Sequence, residues 1–413
     1  MYDIAKAIKP KAKIGTSARE DLVAFAKQWR IMTKRTELRA AVCGVVFLLG
    51  FCIAERTILA ASSTTSPLVK AKQEAEARGY IFVPSHEEII AAAKKEGKLR
   101  VLGSLSPSTY KQMINAFKKR YPFMTEVYVE EITGTDTPQR FLLELKTGKI
   151  TQWDAFDMAP DYYTEYLPYV KKFDILGMAT QGVLAIPPPM VDPKNLNVVS
   201  IASSLHVVGY NKKLISEDKV PNKWEEFLKP VFKGKKFMVD IRPQGFAALA
   251  AGLGEKWTMD YAAKIAAQEP VWVRGQSRPL SAMIAGEQEL LHLAYYHSCM
   301  RSLKKDPGGS LSCKIIEPVP ARLQEFAALA SSAPHPYSAL LWLEFQASPD
   351  GQNLIDEYEP LNSSIYAADS ALAKITQGKK LSVNNWETLH NTSRWQQMVF
   401  KTFGFPRAEE GNK

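Results

Sequence analysis

The sequence predicts an α/β protein with two lobes, each built on a mostly parallel sheet that carries helices on its faces. The first observation is an alternation of short apolar strands with helical segments, which begins at Glu87. The second is a proline-rich interruption at Ile186–Pro193, which cannot be helical and is followed by extended segments. The third is the return of the alternation from Lys236 onward. The 413 residues, 46% of them hydrophobic, suffice for two hydrophobic cores.

The first group of elements is delimited by residues that start and stop helices. Gly97 ends one helix, and Ser106 stands at the N-cap of the next with Pro107 in its first turn. Apolar residues from Tyr110 to Tyr121 recur at helical spacing and define one buried face. The predicted elements are helices at Glu87–Lys95, from Pro107 and at Pro138–Lys146, with strands at Leu99–Gly103, Thr125–Ile132 and Trp153–Met158.

The second group begins after the prolines, with extended runs at Asn197–Ile201 and Leu205–Tyr210. We interpret Val198–Gly209 as a strand that crosses between the lobes and Lys314–Pro318 as the return segment. Two sheets joined by extended segments form a hinge that can close on a ligand. The other predicted elements are strands at Lys236–Ile241, Val271–Val273 and Glu289–Tyr295, with helices from Pro243 and Pro279. The predicted lobes are residues 79–205 with 318–365 (lobe 1) and residues 206–317 with 366–413 (lobe 2).

The formal charge of +10 is concentrated at the N-terminus, where residues 1–39 hold ten basic and four acidic side chains. The rest of the chain has a net charge of only +4. A nearly balanced body argues against nucleic acid as a partner.

Residues 1–54 are predicted to be an N-terminal leader. The uncharged run Ala40–Ala54 is short for a membrane span, which needs about twenty residues, and has the length of a signal-sequence apolar region. We expect cleavage before Glu55, with Met32 as the true start, a linker and polar segment at 55–78, and a location in the periplasm. The alternative is an uncleaved anchor in the inner membrane formed by residues 40–54.

Two cysteines, Cys299 and Cys313, remain beyond the leader. An even pair in an oxidising compartment predicts either a disulfide or two free, buried thiols.

Several stretches resemble the ferric-type periplasmic solute-binding proteins of ABC importers. The matching stretches are Ala91–Ser104, Ala116–Pro122, Val207–Ile215, Val220–Pro243, Ile284–Leu290 and Ala333–Gln352. The resemblance extends from Glu88 to Leu361. It implies a type II periplasmic-binding-protein fold, a ligand held in a cleft between the lobes, and delivery of that ligand to an ABC permease with its ATPase by a monomeric binding protein.

Three loops place serine or arginine at a predicted helix start, where unpaired N–H groups favour an anion. Arginine adds a forked set of donors suited to oxyanions. The candidate ligand-binding residues are Ser104, Ser106, Ser108, Arg242, Ser277 and Arg278. The sequence therefore favours a small organic anion as the ligand.

The alternative ligand is a ferric ion. Tyr295 and Tyr296 lie close to the tyrosine pair that supplies phenolate ligands in the ferric-type family, and His297 follows them. The family's other ligands are missing, because Ser104 stands in the first loop where the family has histidine. Near the third strand, Asp161 or Glu165 can substitute for the family's glutamate, although each is displaced from the expected place.

The chain lacks the phosphate-binding, dinucleotide-binding and nucleophile-elbow motifs of common enzymes. We therefore expect no enzymatic activity and no cofactor. A membrane-tethered ligand sensor remains the third function class, and it depends on the leader staying uncleaved.

Overall fold

The computed structural model describes residues 66–132, 137–148, 152–158, 160–359 and 362–404. The predicted leader, including its cleavage position and the alternative anchor, lies outside these residues. Within the described ranges, no helix combines the length and apolarity needed to cross a membrane.

Within the described ranges the chain forms ten strands and the following helices. The strands are β1 Lys98–Gly103, β2 Glu126–Glu131, β3 Ala155–Met158, β4 Val198–Asn211, β5 Met238–Asp240, β6 Val271–Val273, β7 Leu290–Tyr295, β8 Leu311–Lys314, β9 Val319–Leu329 and β10 Leu381–Asn384. The helices of the described part are α1 Pro67–Ala77, α2 His86–Glu96, α3 Pro107–Arg120, α4 Thr137–Lys146, α5 Tyr163–Tyr166, α6 Ile175–Thr180, α7 Gln244–Leu253, α8 Glu255–Ala267, α9 Ser277–Ile284, α10 Tyr296–Leu303, α11 Pro336–Ala347, α12 Pro349–Tyr358, α13 Ala371–Thr376 and α14 Thr392–Thr402.

One mixed sheet runs through the molecule in the order β2-β1-β3-β9-β4-β7-β5-β6, with β10 paired to β9 and β8 paired to β4. Strands β1, β2 and β3 are parallel and belong to lobe 1, whereas β5, β6 and β7 are parallel and belong to lobe 2. The long strands β4 and β9 pair antiparallel between them. The two-lobed α/β architecture predicted from the sequence is therefore confirmed.

Strand β4 is continuous over Val198–Asn211, as the predicted crossing strand Val198–Gly209 required, although the apolar pattern alone showed two runs. Its first part pairs with β9 and its last part, from His206, pairs with β7 and β8. All of its residues are buried, so the polar residues between the two apolar runs do not mark a loop.

The predicted return segment Lys314–Pro318 is wrong. Lys314 ends β8, and the strand that returns between the lobes is β9, which begins at Val319. Pro318 has no N–H to donate to a ladder, so regular pairing begins only after it.

Each lobe has its own aromatic core. In lobe 1, Phe117 of α3 makes edge-to-face contacts with Trp342 and Phe345 of α11. In lobe 2, His292 lies fully buried among aromatic rings that include Trp224 and Phe227. Such contacts hold the sheet faces rigid on both sides of the crossing strands.

Of the two alternatives for the cysteines, the structure has the disulfide. Cys299 on α10 is bonded to Cys313 on β8, with Cα atoms 6.5 Å apart. The bond ties the helix that follows the tyrosine pair to the sheet of lobe 2.

Candidate functional site

The lobe 1 side of the site forms where β1 ends beside β3 and β9. The backbone N and the Oγ of Ser104 each donate a 2.8 Å hydrogen bond to Asp157 of β3. The Ser104 Oγ also contacts the carboxylate of Glu325 on β9. The parallel strands β1 and β3 deliver their carboxyl ends to one edge of the sheet, and β9, antiparallel to β3, brings Glu325 to the same edge.

The two carboxyls joined by Ser104 are buried, and their electrostatics follow from that burial. Burial raises the pKa of Asp157, while hydrogen bonds from Ser104 and Tyr110 oppose the rise. Burial, and then the charge of Asp157, raise the pKa of Glu325 to about 7. Two carboxylates this close do not both ionise readily, so the pair shares a proton near neutral pH.

Glu325 also has an unusual backbone conformation. Its φ is 53°, in the left-handed region that a bulky side chain rarely adopts, in the middle of β9. Such strain persists where the surrounding structure imposes it and is common at functional sites.

The start of α3 is already occupied by a carboxylate of the same chain. The N–H of Ser106 donates to Glu359 Oε1 at 2.5 Å, and the Thr109 hydroxyl donates to the same oxygen at 2.7 Å. The Ser106 hydroxyl lies 2.9 Å from that of Ser108. Glu359 therefore fills the position where an external anion would bind this helix N-terminus.

The lobe 2 side holds Arg242 in an internal ion pair. Its guanidinium donates to both carboxylate oxygens of Asp240, at 3.2 and 2.8 Å. Gln276 donates to the same carboxylate at 3.0 Å and accepts from the N–H of Tyr295 at 3.2 Å. The charge of Arg242 is thus compensated within the protein. Ser277 and Arg278 are exposed in the first turn of α9.

The tyrosine pair lies at the junction of β7 and α10, with Tyr295 ending the strand and Tyr296 beginning the helix. The ring of Tyr295 is stacked on His297, with centroids 5.3 Å apart, and lies against His206 at 4.7 Å. Burial raises the pKa of Tyr296. The arrangement brings two phenols and one imidazole to the same strand end.

His297 lies in the electrostatic field of both lobes. The pKa of His297 is lowered to about 4, chiefly by burial, with Arg301 and Arg322 also lowering it and Glu359 raising it. His297 is therefore neutral at physiological pH, and its buried Nδ1 has no hydrogen-bond partner among the described residues. A neutral imidazole nitrogen with a free lone pair is suited to bind a metal ion.

The remaining sequence-predicted candidates do not join these groups. Only the backbone of Asp161 is described, in a short turn at Pro160–Tyr162. Glu165 pairs with Lys146 at the surface. Over the described ranges, no group of three or more His, Cys, Asp or Glu side chains is placed to hold a metal ion.

Sequence reasoning missed four charged residues of this region: Asp157, Arg322, Glu325 and Glu359. Arg322 and Glu325 lie on β9, whose position the sequence pattern misassigned. Charged residues inside an otherwise apolar strand were the signal, because such residues are seldom buried without a partner.

The comparisons with known proteins agree with this fold. Residues 169–392, just over half of the chain, match the family model described as bacterial extracellular solute-binding protein. No curated protein matches the chain.

Solved structures with a similar fold include iron-bound HitA from Pseudomonas aeruginosa, with 17% identity and a TM-score of 0.52, covering 74% of this chain and 99% of the other. A Trichodesmium protein (IdiA, FutA) in complex with iron and citrate has 16% identity and a TM-score of 0.59, with coverages of 74% and 99%. Apo ferric ion-binding protein A from Pasteurella haemolytica has 17% identity and a TM-score of 0.58, with coverages of 76% and 100%. At this identity the likeness establishes the fold, and it confirms the type II architecture.

Proposed function

Because the chain belongs to the bacterial extracellular solute-binding proteins, we propose that it captures a ferric ion between its lobes and delivers it to an ABC permease with its ATPase. The observation that carries the proposal is the Tyr295–Tyr296 pair at the end of β7, where the ring of Tyr295 is stacked on the neutral imidazole of His297. Phenolate is a hard oxygen donor, and the charge of a ferric ion stabilises its deprotonated form.

The surroundings of the pair support a cation as the ligand. Lobe 1 contributes a carboxylate to these surroundings, because the charge of Glu359 raises the pKa of His297. The similar structures are iron-bound HitA, a Trichodesmium protein in complex with iron and citrate, and an apo ferric ion-binding protein. Both points support the ferric alternative over the organic anion that the sequence analysis favoured.

The proposal predicts that the protein becomes coloured with ferric iron. Ferric iron added to metal-free protein should produce a visible phenolate-to-iron charge-transfer band. Tyr296→Phe should abolish the band and weaken ferric binding by at least about 100-fold, because even residues that only support metal ligands cost 10- to 100-fold. Tyr295→Phe should weaken or remove the band in the same way. Absorbance and equilibrium titration against a competing chelator measure both effects.

Tyr128→Phe is the matched control, since Tyr128 is exposed on β2 and its hydroxyl contacts only Glu130 among described groups. This variant should keep the band and the affinity. A wild-type protein that stays colourless, or a Tyr296→Phe variant that retains the band, would contradict the proposal.

A small organic anion is the second candidate ligand, and one observation favours it. Arg322 is buried on β9 where it pairs with β4, and its Nη1 has no hydrogen-bond partner among the described residues. A colourless protein whose melting temperature rises with a carboxylate or phosphate ligand would identify this second function.

We place the protein in the periplasm, as its family membership suggests. The leader cleavage before Glu55 and the monomeric state remain predictions. The role is binding and delivery, and none of the groups described above is assigned a catalytic step.

A further inference from the structure

Strand β7, which ends at Tyr295, is irregular just before that residue. The register of the β4–β7 ladder shifts between Val207 and Gly209, where two residues of β7 face one residue of β4. One of the two is Leu293, whose φ of 52° lies in the left-handed region that a leucine rarely adopts. Such a β-bulge bends its strand and changes the direction of the side chains that follow. Ladder pairing alone therefore does not fix the direction in which Tyr295 leaves the strand.

The side chain of Gln276 holds the backbone at this point. The β5–β7 ladder has Val239 and His292 as its last pair, so Tyr295 lies past its end. The N–H of Tyr295 donates to Gln276 Oε1 at 3.2 Å, and Gln276 Nε2 donates to Asp240 at 3.0 Å. Because an N–H can only donate and a carboxylate can only accept, the amide of Gln276 has a single orientation that satisfies both. Gln276 is 7% exposed and thus links the end of β5 to the end of β7 inside the protein.

Asp240 in turn fixes Gln276 and the turn that precedes it. Its carboxylate accepts two bonds from the guanidinium of Arg242 and one from the N–H of Gly275 at 3.4 Å. Burial raises the pKa of Asp240, but the bonds and charge of Arg242 and the bond from Gln276 lower it below its usual value, so the carboxylate stays ionised. The φ of Gly275 is 90°, which only glycine adopts readily. The turn is therefore built to present the next side chain, Gln276, to the carboxylate.

The second tyrosine of the pair is held in a different way. Tyr296 begins α10, and the disulfide from Cys299 ties this helix to β8. The helix side of the pair therefore has a covalent restraint close by. On the strand side, the bulge precedes Tyr295 and the hydrogen bond to Gln276 follows it, so the position of Tyr295 depends on that bond.

We propose that Gln276 is a positioning residue for the ferric site: anchored by Asp240, it fixes the end of β7 and so sets the direction of the Tyr295 phenol. Gln276 does not bind the metal itself. It acts through Tyr295, as a group that orients a metal ligand without touching the ion. The inference rests on the ferric function proposed above and identifies the residue that controls one of its two tyrosines.

The test measures the ferric affinity of the full chain against a competing chelator, together with the charge-transfer band. Gln276→Met keeps the length of the side chain but removes both the acceptor for Tyr295 and the donor to Asp240. It should weaken ferric binding about 10- to 100-fold and reduce the intensity of the band, as expected for a group that supports a metal ligand. Gln268→Met is the matched control, because it removes an amide that donates to the carbonyl of Leu228 at 2.9 Å in the same lobe. This control should keep the wild-type affinity and band.

A double-mutant cycle separates positioning from a general loss of stability. If Gln276 acts through the phenol of Tyr295, Gln276→Met should cost little further ferric affinity in a Tyr295→Phe background, so the two losses are not additive. Additive losses would show that Gln276 acts by another route and overturn the inference. A Gln276→Met variant with wild-type affinity and band would overturn it as well, and both results leave the ferric function intact.

Hydrogen exchange of the Tyr295 amide gives a readout without iron. Gln276→Met should speed this exchange about 2- to 10-fold, as expected for the loss of one hydrogen bond, whereas Gln268→Met should leave it unchanged. Unchanged exchange in Gln276→Met overturns the inference whether or not the protein binds iron. A colourless wild-type protein contradicts the ferric function, and the exchange rate still decides whether Gln276 fixes Tyr295.

If Gln276→Met does not fold, Gln276→Asn takes its place. Its amide is one methylene shorter, so it cannot reach Tyr295 and Asp240 at once. It should lower the ferric affinity and speed the amide exchange in the same direction, and wild-type values for both would overturn the inference.

Discussion

The two lobes present opposite chemistry to the region between them. Lobe 1 presents carboxyl groups, and each is engaged within the lobe: Asp157 and Glu325 through Ser104, and Glu359 at the start of α3. Lobe 2 presents the phenols of Tyr295 and Tyr296 and the neutral imidazole of His297. Lobe 1 thus supplies negative charge, whereas lobe 2 supplies phenol oxygens and an imidazole nitrogen.

The difference between the lobes indicates where ligand contacts can form. A group that already has its hydrogen bonds gains little from a ligand. For a buried group without a partner the gain is larger, because a bond from the ligand offsets the free-energy cost of its desolvation. By that criterion the buried Nδ1 of His297 in lobe 2, which has no partner among the described residues, gains more from a ligand than the bonded carboxyl groups of lobe 1. Variants that each alter one lobe test whether the two lobes differ in this way.

The largest expected effect is confined to lobe 2. The disulfide between Cys299 and Cys313 spans 14 residues in sequence. The double variant Cys299→Ser, Cys313→Ser should lower the free energy of unfolding by about 3 kcal/mol in the chain-entropy model. Urea unfolding of oxidised wild type against the double variant measures the difference. Equal midpoints and slopes would show that the bond does not constrain the unfolded chain.

The second effect is confined to lobe 1 and depends on pH. The pKa of Glu325 is raised from 4.5 to about 7 in the folded protein by burial and by Asp157. Between these pH values the folded state binds more protons than the unfolded state, so the free energy of unfolding falls as pH rises. From pH 5 to pH 7 the loss should be about 2 kcal/mol, and Glu325→Gln should remove it. Denaturant unfolding at the two pH values measures it.

Glu88→Gln is the control for this pH effect, because Glu88 is exposed on α2 of the same lobe. It should keep the wild-type pH dependence. A Glu325→Gln variant that still loses the same stability between pH 5 and pH 7 would assign the titration to another group.

Much of the fold could be predicted from the sequence because its signals are local. Gly97 ends α2, Pro107 opens α3, and Val271–Val273 is a strand in both the prediction and the structure. The return strand could not be predicted, since Arg322 and Glu325 interrupt the apolar pattern of β9. Arg322 is buried against a strand more than 100 residues away in the chain, and Glu325 contacts Ser104, which is 221 residues away, so no local pattern records either environment.

The site was predictable only in part for the same reason. Tyr295, Tyr296 and His297 are adjacent in sequence, so one motif finds them together. The hydrogen bond from the N–H of Ser106 to Glu359, by contrast, joins residues 253 positions apart. Sequence reasoning recognised helix starts that suit anions, but it did not identify which of them the chain fills with its own carboxylates.

The smallest effect concerns two arginines in contrasting environments. Arg242 is partly exposed and paired with Asp240, whereas Arg322 is buried and has no ion pair within the described part of the chain. Arg242→Met should lower the free energy of unfolding by about 1 kcal/mol, discounted for exposure, because Asp240 keeps its bond from Gln276. Urea unfolding measures this loss.

The same variant tests whether Arg242 also contacts the ligand, as the sequence predicted. If the ligand is an organic anion held by Arg242, the substitution should weaken its binding by roughly 1.5–3 kcal/mol in addition to the stability loss. If Asp240 fully occupies the guanidinium, only the stability changes, and the affinity for phosphate stays that of wild type. Calorimetric titrations of Arg242→Met and Arg322→Met distinguish the two cases. If pairing with Asp240 keeps Arg242 from the ligand, only Arg322→Met should lose affinity. Equal losses of affinity in both variants would show that an arginine in an internal ion pair still binds the ligand. The different environments of Arg242 and Arg322 would then not decide which of them binds.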